Sequence, residues 1–538
     1  MKRLLPLLLA ALFLLSSCAS DRSDLPPPTQ SSNNEFSSRF SGETTISLSD
    51  SGVTWSTPAG VPHSAVTTDH NIIYYQDRLT YESGNPYGEG NPGERHTAEE
   101  AAAHTVVRIT QPGAYRITGK LSAGQICIDL GEDAYEDPNA VVELILDGAE
   151  ITCSVAPAIL FLNVYECDGD WSAETARPDV DTSAAGANLI LAENSRNTVT
   201  GSHVAKIYKD KDGEKKLWKQ DGAVYSYMSM NIYGPGVLEL TADNEGLGTE
   251  LHLTINGGDI VIRSNNDGIN TNEDGVSVTT VNGGGLRILA GLGAEGDGID
   301  SNGYLVINGG TVFASANPAA DAGLDSDLGS YINGGTVVAL GTAMDWTESD
   351  SRQVTMNLQF AQYQTSGASL SVASEDGNAV FSFDPASDPV LGENPRAYQG
   401  AILSCPVFQV GDCYYMHIGG IQMMYTGTDV MGRGPGGMGG GFGGQRPQDG
   451  APGNFDGQQP PEGFDGEIPT MPEGETIPGG FPENPGQPPE GAPPGGFGGF
   501  GGPGENSAEG QPGTPGQGSA LFYMQDKVNF FFGLQPTQ

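Results

Sequence analysis

Acidic residues recur around a glycine in four short stretches of the chain, and this pattern could bind a metal ion. The stretches DNEGLGTE, NNDGINTN, EGDGIDSN and DAGLDSDL begin at positions 243, 265, 295 and 321. A first column of acidic residues lies before the glycine and a second column of Asp and Asn follows it. The first column contains Glu245, Asp267, Asp297 and a displaced Asp321, and the second contains Asn270, Asp300 and Asp325. Calcium accepts six to eight oxygens at about 2.3–2.6 Å, and mixed carboxylate, amide and carbonyl oxygens suit it.

Two explanations are open for these columns. If the stretches stack at successive levels, equivalent residues lie about 4.8 Å apart. Carboxylates at that spacing repel by about 1 kcal/mol per pair even in water, so solvation or a hard cation must offset the repulsion. Ordinary turn chemistry is the alternative, because Asp and Asn favour turns. It explains a single turn better than a column, and we therefore predict calcium as the cofactor. The predicted ligands are Asp267, Asn270, Asp297, Asp300, Asp321 and Asp325.

A second motif defines the elements that must position these residues. NGG occurs with its asparagine at 256, 282, 308 and 333, at spacings of 26, 26 and 25 residues, and a period of this length indicates a solenoid. The segments between motifs are short, and their apolar residues alternate, as in GDIVIRS, which is typical of strands. Each repeat therefore predicts a strand, an NGG turn, a strand, a DG turn, a short strand and a loop. Stacked coils of this kind make a parallel β-helix.

The NGG turn itself predicts a structural role. Two adjacent glycines permit positive φ where a coil turns sharply between strands. Stacked asparagine side chains can also hydrogen-bond from one coil to the next, as polar ladders do in other stacked sheets.

Composition excludes some classes of partner. The 538 residues carry a formal net charge of −43, from 24 basic and 67 acidic residues. A phosphate backbone needs a basic surface, so we expect no nucleic acid partner. An acidic surface of this size suits a secreted protein that binds cations.

The N-terminus predicts export and a lipid anchor. MKRLLPLLLAALFLLSSC has two basic residues, then an apolar run too short to cross a bilayer, and it ends at Cys18. It resembles a bacterial lipobox, in which the cysteine is lipidated, although an ordinary signal peptide with a chance cysteine is the alternative. We expect lipidation at Cys18 and a protein on the extracellular face of a bacterial membrane. The only expected membrane contact is the lipid.

Composition also divides the chain into segments. The predicted segments are a lipoprotein signal peptide (1–18), a polar tether (19–50), a parallel β-helix with an N-terminal cap (51–350), a small C-terminal β-domain (351–430), a disordered Gly/Pro-rich segment (431–518) and a returning strand (519–538). The predicted fold class is all-β.

The cysteines leave one question open. Five remain besides Cys18, an odd number, so at least one is free. Cys405 and Cys413 flank PVFQVGD, which reads as a hairpin turn, and a disulfide between them is possible but not required.

The sequence resembles a family beyond its repeats. GAYRITGKLSAGQICIDL, VELILDGAEITCSVAPAILFLN, ANLILAENSRNTVTG and DGAVYSYMSMNIYGPGVLELTA, in that order, are similar to the opening coils of the bacterial carbohydrate-binding β-helix family. The resemblance implies a right-handed helix, calcium in its turns, and binding of cellulose or acidic plant polysaccharides. Two features depart from the family: ADAGLD lacks the Asp directly before its glycine, and residues 168–186 form a long insertion.

Three functions remain open at this point. The first is a cell-surface protein that binds plant-type or acidic polysaccharide. Its candidate sugar-stacking residues, each of which could instead be a packing residue, are Trp171, Trp218, Tyr331 and Trp346. The second is a calcium-dependent lyase acting on uronate-containing glycan, although the lysine-rich run at 206–219 is more typical of a solvated loop. The third is an adhesive or structural surface protein without enzymatic activity. We favour the first and predict no catalytic residues.

Overall fold

The computed structural model describes residues 36–74, 96–169, 171–208, 216–427 and 518–537, and within them it leaves the side chains of 205–208 and 216–218 undescribed. The predicted signal peptide with Cys18, almost all of the Gly/Pro-rich segment and the side chain of Trp218 lie outside this description. The described chain is all-β, as predicted. Its helices are α1 (Ala98–Ala102) and three 3-10 turns at His63–Ala65, Glu132–Glu136 and Leu391–Glu393. No helix in the described ranges is long and apolar enough to cross a membrane.

The strands fall into three regions along the chain. The first strands are β1 (Glu43–Leu48), β2 (Thr54–Ser56), β3 (Val66–Asp69), β4 (Thr105–Ile109), β5 (Gly113–Leu121), β6 (Gly124–Asp129), β7 (Val142–Thr152), β8 (Ile159–Asn163), β9 (Ala187–Leu191), β10 (Arg196–Gly201), β11 (Val204–Tyr208) and β12 (Lys216–Gln220). The repeats supply β13 (Gly222–Ser226), β14 (Met230–Tyr233), β15 (Val237–Ala242), β16 (Glu245–Thr249), β17 (Leu253–Ile255), β18 (Asp259–Ser264), β19 (Ile269–Thr271), β20 (Val278–Val281), β21 (Gly285–Leu289), β22 (Ile299–Ser301), β23 (Tyr304–Ile307), β24 (Thr311–Ser315), β25 (Leu324–Ser326), β26 (Gly329–Ile332) and β27 (Thr336–Gly341). The last strands are β28 (Thr355–Phe360), β29 (Leu370–Ser374), β30 (Ala379–Phe383), β31 (Gly400–Ser404), β32 (Cys413–Ile418), β33 (Ile421–Met424), β34 (Leu521–Tyr523) and β35 (Val528–Pro536).

Strands of successive coils pair in three stacks. Stack A contains β9, β14, β17, β20, β23 and β26; stack B contains β10, β15, β18, β21, β24 and β27; stack C contains β3, β4, β6, β8, β13, β16, β19, β22 and β25. Pairing within the stacks is parallel except between β3 and β4. The long strand β7 pairs with β9 at the start of stack A and with β10 at the start of stack B, and β5 pairs with β7. Stacks A and B, the C-terminal strands and β1, β2, β5 and β7 form one 24-stranded sheet, and stack C forms a nine-stranded sheet.

Each repeat has the predicted order of elements. The chain runs from stack A through NGG to stack B, then through the DG turn to stack C, and returns by a loop. The apolar phase of each strand faces inward, and the inward residues of one such coil, all fully buried, are Leu253, Ile255, Ile260, Ile262 and Ile269. Burial of such a side chain contributes about 1.5–3 kcal/mol, so repetition of the pattern builds one continuous core.

The NGG turns have the predicted conformation and ladder. The second glycine of each motif has φ between 82° and 95°, a region that favours glycine. Asn282, Asn308 and Asn333 each donate from Nδ2 to Oδ1 of the asparagine one coil earlier, at 2.9–3.0 Å. The ladder therefore runs in one direction and begins at Asn256.

The glycine of the DG turn is required for a different reason. A Cβ on Gly268 would lie 2.5 Å from the carbonyl oxygen of Gly298 and 2.2 Å from Cγ2 of Ile288, and a Cβ on Gly298 would lie 2.3 Å from the carbonyl oxygen of Gly323. The coils therefore approach too closely for a side chain at this corner. This close approach brings the flanking acidic residues of successive coils together.

The C-terminal strands continue the sheet rather than start a new one. β31 pairs antiparallel with both β27 and β28, so no break in hydrogen bonding marks position 351. These strands cover the outer face of stack B, where Phe313 packs 4.5 Å from the Phe383 ring. Beyond the Gly/Pro-rich segment, β34 pairs with β32 and β35 pairs with β28, so the apolar tail returns to this region.

One predicted boundary is wrong, and the structure answers the open question about Cys405 and Cys413. The predicted tether (19–50) extends too far, because β1 lies inside it and pairs with β5 through six residues. Its alternating Thr44, Ile46 and Leu48 are buried, a short strand pattern that the polar composition around it obscured. Cys405 and Cys413 do not form a disulfide, and all five described cysteines are free. The physical reason is that β31 and β32 pair with other strands rather than with each other.

Candidate functional site

The acidic columns lie at the corner between stack B and stack C. Parallel pairing aligns Asn270 with Asp300 and Asp300 with Asp325, so the second column is in register on three coils. The first column lies two residues before the aligned Leu247, Ile269 and Ile299 of stack C, so that Glu245, Asp267 and Asp297 follow one another. The structure therefore brings together the residues that the sequence assigned to the two columns.

Asp321 is the exception to this alignment. The same register places Ala322, not Asp321, after Asp297 in the first column. The Asp321 carboxylate instead accepts a 2.8 Å hydrogen bond from the backbone N–H of Gly296. Asp321 thus lies beside the column, and the loss of the Asp directly before the glycine has a visible structural effect.

Backbone groups link the first-column carboxylates. Asp267 Oδ1 accepts from the N–H of Asp297 at 2.7 Å, and Asp297 Oδ1 accepts from the N–H of Ala322 at 2.5 Å. Each carboxylate therefore has one oxygen held by the next coil. The orientation of the side chains is set by the stacking itself.

Burial and mutual repulsion disfavour the charged forms of these groups. Desolvation raises the pKa of Asp267 well above its usual range, and the nearby Asp300 and Glu245 raise it further. Desolvation likewise raises the pKa of Asp297, with Asp267 and Asp325 adding to the effect. A divalent cation among these oxygens would stabilise the charged forms, because it supplies the opposite charge.

Two oxygens at this corner are buried without a hydrogen bond. Asn270 donates from Nδ2 to Glu245 Oε1 at 3.0 Å. This orientation leaves Asn270 Oδ1 and Glu245 Oε2 buried with no partner in the described part of the chain. An unsatisfied buried polar atom costs about 1–3 kcal/mol, and a hard cation binds such oxygens. The residues present therefore suit calcium in their chemistry.

The donor set is mixed rather than purely acidic. Across the described ranges, no three His, Cys, Asp or Glu side chains form a group that could hold an ion by themselves. Calcium at this corner would need the amide oxygen of Asn270 and backbone carbonyls in addition to carboxylates.

Lys219 lies at the N-terminal end of the columns. Its Nζ is 2.8 Å from Asp221 Oδ2 and donates to Asn272 Oδ1. Desolvation lowers the pKa of this lysine, but Asp221, Glu250 and Glu245 outweigh it and the net shift is upward. Lys219 is therefore an internal cation. The interpretation of the lysine-rich run as a solvated loop does not hold for this residue.

The comparisons with known proteins cover this part of the chain. The family model described as "Carbohydrate-binding domain-containing protein" matches residues 103–168 and 172–382, just over half of the chain. The chain belongs to this family. The match includes both acidic columns and all three stacks from α1 onward.

One curated protein and one solved structure are similar to this carbohydrate-binding domain. A carbohydrate-binding domain-containing protein of Acetivibrio thermocellus is 30% identical over 159 residues, which is 29% of this chain and 45% of the relative. The aligned region thus spans less than half the length of that relative. A solved structure, the polysaccharide lyase-like protein from C. thermocellum in its gadolinium derivative, is 21% identical, with 55% of this chain and 93% of that chain covered at a TM-score of 0.32. A TM-score this low supports no inference about function.

Three of the four aromatic candidates of the carbohydrate-binding domain have described side chains, and these lie in different surroundings. Trp346 packs edge-on against Phe530 and Phe532, with ring centroids 6.4 and 6.0 Å away. Tyr331 lies half-buried beside Tyr304 at 6.1 Å, and Trp171 is half-buried in the insertion. Trp346 thus packs on the returning tail, a contact that no local sequence pattern could indicate.

Two basic residues of the repeats have ion-pair partners. Arg263 pairs with Glu393, and Arg287 contacts both Asp259 and Asp388 at 3.3 Å. Both therefore serve to hold the C-terminal region on stack B.

Sequence reasoning missed a polar cleft of the carbohydrate-binding domain. The cleft lies on the outer face of stack A, between Asn256 and Asn282 of the ladder and the insertion residues 180–183, with Tyr233 at its edge. The only available signal was a run of Asn and Thr at outward strand positions.

Proposed function

We propose that this chain is a cell-surface lipoprotein that binds plant-type or acidic polysaccharide on a calcium-stabilised, right-handed parallel β-helix. The observation that carries the carbohydrate function is the family match over just over half of the chain. The parallel pairing of successive coils in three stacks supports the β-helix. Export and lipidation rest on the N-terminal sequence that ends at Cys18.

The calcium proposal rests on the corner between stacks B and C. The unpartnered, buried Asn270 Oδ1 and Glu245 Oε2 support it, together with the repulsion among Asp267, Asp297 and Asp300. Calcium would supply the positive charge that lets these carboxylates stay ionised inside the protein. Its role in this proposal is to hold the coils together rather than to take part in a reaction.

The basic residues at the columns and in the repeats do not favour the lyase. A lyase needs a base near the substrate, and a basic side chain must lose its proton to serve. Lys219 is held protonated by Asp221, Glu250 and Glu245, and Arg263 and Arg287 are in ion pairs. We therefore propose binding without catalysis.

The experiment is a binding assay with chemical controls. The purified mature protein is titrated with hydroxyethylcellulose and with polygalacturonate, each in calcium and in a chelator, and the absorbance of unsaturated uronates is followed in parallel. Binding without product is expected. Absorbance growth at catalytic enzyme concentrations would show a lyase, and the absence of binding to a broad panel of glycans would contradict the carbohydrate function.

A further inference from the structure

The outer face of stack A carries a cleft, which we call the Tyr233 cleft. Its volume is about 270 Å³, near the lower end of ordinary ligand sites, which suits a short part of a longer chain. Its floor contains Asn231, Thr254 and Thr280, which parallel pairing places in one row across three coils. A smaller hollow of about 100 Å³ continues from it past Ser183 and Tyr233.

The polar floor is confined to the cleft and the adjoining hollow. On the preceding coils the row contains Glu143 and Asn188, which line the hollow, and after Thr280 it continues with Val306 and Tyr331. These are outward positions, because the alternate residues on the same strands face the core. The amide and hydroxyl groups are therefore concentrated where the insertion forms a wall and give way to apolar groups beyond it.

The wall of the Tyr233 cleft is fixed in place. Thr182 Oγ1 lies 2.7 Å from both Asn231 Oδ1 and Thr254 Oγ1, and Asn231 Nδ2 donates to the Thr182 carbonyl at 2.8 Å. Thr182 is buried, so these bonds are shielded from water. The wall is preformed, which lowers the entropic cost of binding.

The asparagine ladder ends at this cleft with an unused donor. Asn256 Oδ1 accepts from Asn282, but no acceptor for Asn256 Nδ2 lies within the described part of the chain. On the preceding coil, the equivalent position is Tyr233 rather than another asparagine. A donor at the end of a polarised row is suited to an oxygen of a ligand.

The charges near the cleft disfavour an anionic ligand. Asp181 is exposed, and hydrogen bonds from Ser183 lower the pKa of its carboxyl, so it is ionised. In the adjoining hollow, Glu143 accepts from Ser38 and from the Arg39 N–H, and the Arg39 guanidinium donates to the Ser183 carbonyl. Two carboxylates and one guanidinium leave a negative surplus on a chain that is already strongly acidic.

We propose that the Tyr233 cleft binds an uncharged polysaccharide chain. Sugar hydroxyls would accept from Asn256 Nδ2 and exchange hydrogen bonds with the half-buried Thr280 hydroxyl. The half-buried ring of Tyr233, which packs 5.0 Å from Phe36, presents an apolar surface with a polar end beside them. This inference rests on the proposed carbohydrate function and narrows it to a neutral glycan at a named site.

The test titrates the full mature chain with hydroxyethylcellulose and with polygalacturonate at low and high salt. Wild type should bind the neutral polymer, with little effect of salt, because no ion pair is involved. Asn256→Ala and Thr280→Val should each weaken binding about tenfold, the effect of one lost hydrogen bond of roughly 1.4 kcal/mol. Tyr233→Ala should weaken it further, while Tyr233→Phe retains most of it.

The matched control is Asn308→Ala. Asn308 belongs to the same ladder and makes one more ladder hydrogen bond than Asn256, but it does not line the cleft. Asn308→Ala should lower the melting temperature at least as much as Asn256→Ala and leave glycan binding unchanged.

The outcomes separate the two proposals. If wild type binds a glycan and the cleft variants bind it equally well, the assignment of the binding site to the cleft is wrong, and the proposed function stands. If wild type binds only polygalacturonate and salt weakens that binding, the cleft assignment is also wrong. If wild type binds no glycan, both proposals fail.

Discussion

Lys219 Nζ lies 2.8 Å from Asp221 Oδ2, so an ammonium group occupies the N-terminal end of the acidic columns. Glu245 and Glu250 are also close enough to raise its pKa. The first level of the columns therefore has a cation that belongs to the chain. The levels that follow, at Asp267 and Asp297, have no such side chain among the contacts that shift their pKa values.

This relationship predicts the effect of Lys219→Met. Removal of one partner from a buried ion pair costs about 3–5 kcal/mol, because the other charge is left uncompensated. In a chelator, the free energy of unfolding should fall by that amount. In calcium, the loss should be smaller, because the metal ion can occupy the vacated place. Urea unfolding in both conditions measures the difference.

The control is Lys120→Met, which breaks an exposed ion pair with Glu150 and should change stability by less than about 1 kcal/mol. An equal loss for Lys219→Met in both conditions would contradict the role of an internal cation.

Asp297→Asn should change stability in opposite directions with and without calcium. Asparagine can still accept from the Ala322 N–H, but it removes one repelling charge from the column. The melting temperature should therefore rise in a chelator. In calcium it should fall, because binding to the folded state contributes RT ln(1 + [L]/Kd), about 2.7 kcal/mol at a hundredfold excess over Kd.

Glu295→Gln is the matched control for Asp297→Asn, because Glu295 is an exposed acid in the same turn. It should leave the melting temperature unchanged in both conditions. If calcium does not alter the melting temperature of wild type, the columns are turn chemistry only.

From the environment of the Asp345 carboxyl, we predict that the stability of the fold depends on pH. Burial raises its pKa to about 7 from 3.8, partly offset by hydrogen bonds from Ser326 and Ser330, with Asp325 adding repulsion. The folded protein therefore binds more protons at this group than the unfolded chain does, and stability falls as pH rises from 3.8 to about 7. In a chelator, Asp345→Asn should raise the free energy of unfolding at pH 8 by about 1–3 kcal/mol and leave it nearly unchanged near pH 4. Thermal unfolding across this pH range measures how steeply stability changes with pH.

The control is Asp179→Asn, at a side chain that is 86% exposed, which should not alter this dependence. A wild-type curve that is flat over this range would argue against the buried carboxyl.

Cys18→Ala should release the protein from the membrane or block its processing. The apolar run of the N-terminus ends at Leu15, two serines before this cysteine, which would carry the lipid. Membrane fractionation and mass spectrometry of the mature N-terminus measure the outcome. Cys413→Ala, at a free thiol elsewhere in the chain, is the control. Unchanged fractionation of Cys18→Ala would favour an ordinary signal peptide.

The sequence alone determined the features that repeat. The 26-residue period of NGG places Asn256, Asn282 and Asn308 in one ladder, because each of these coils turns at the same residue. Asn270 and Asp300 are 30 residues apart, yet they align because each follows the glycine of a DG turn by two residues. A local sequence pattern is enough to predict these alignments. Each coil pairs with its neighbour in a fixed register, and the register decides which side chains lie next to one another.

Only the tertiary structure decided the features that do not repeat. Thr182 reaches Asn231 and Thr254 from an insertion with no counterpart in other coils, and it builds the wall of the Tyr233 cleft. Trp346 packs on Phe530 across nearly two hundred residues of chain, and the Lys219 side chain is largely shielded from water although it ends a lysine-rich run. Such contacts depend on where a loop or tail folds back. Periodicity carries no information on that path, since it describes only how one coil follows the next.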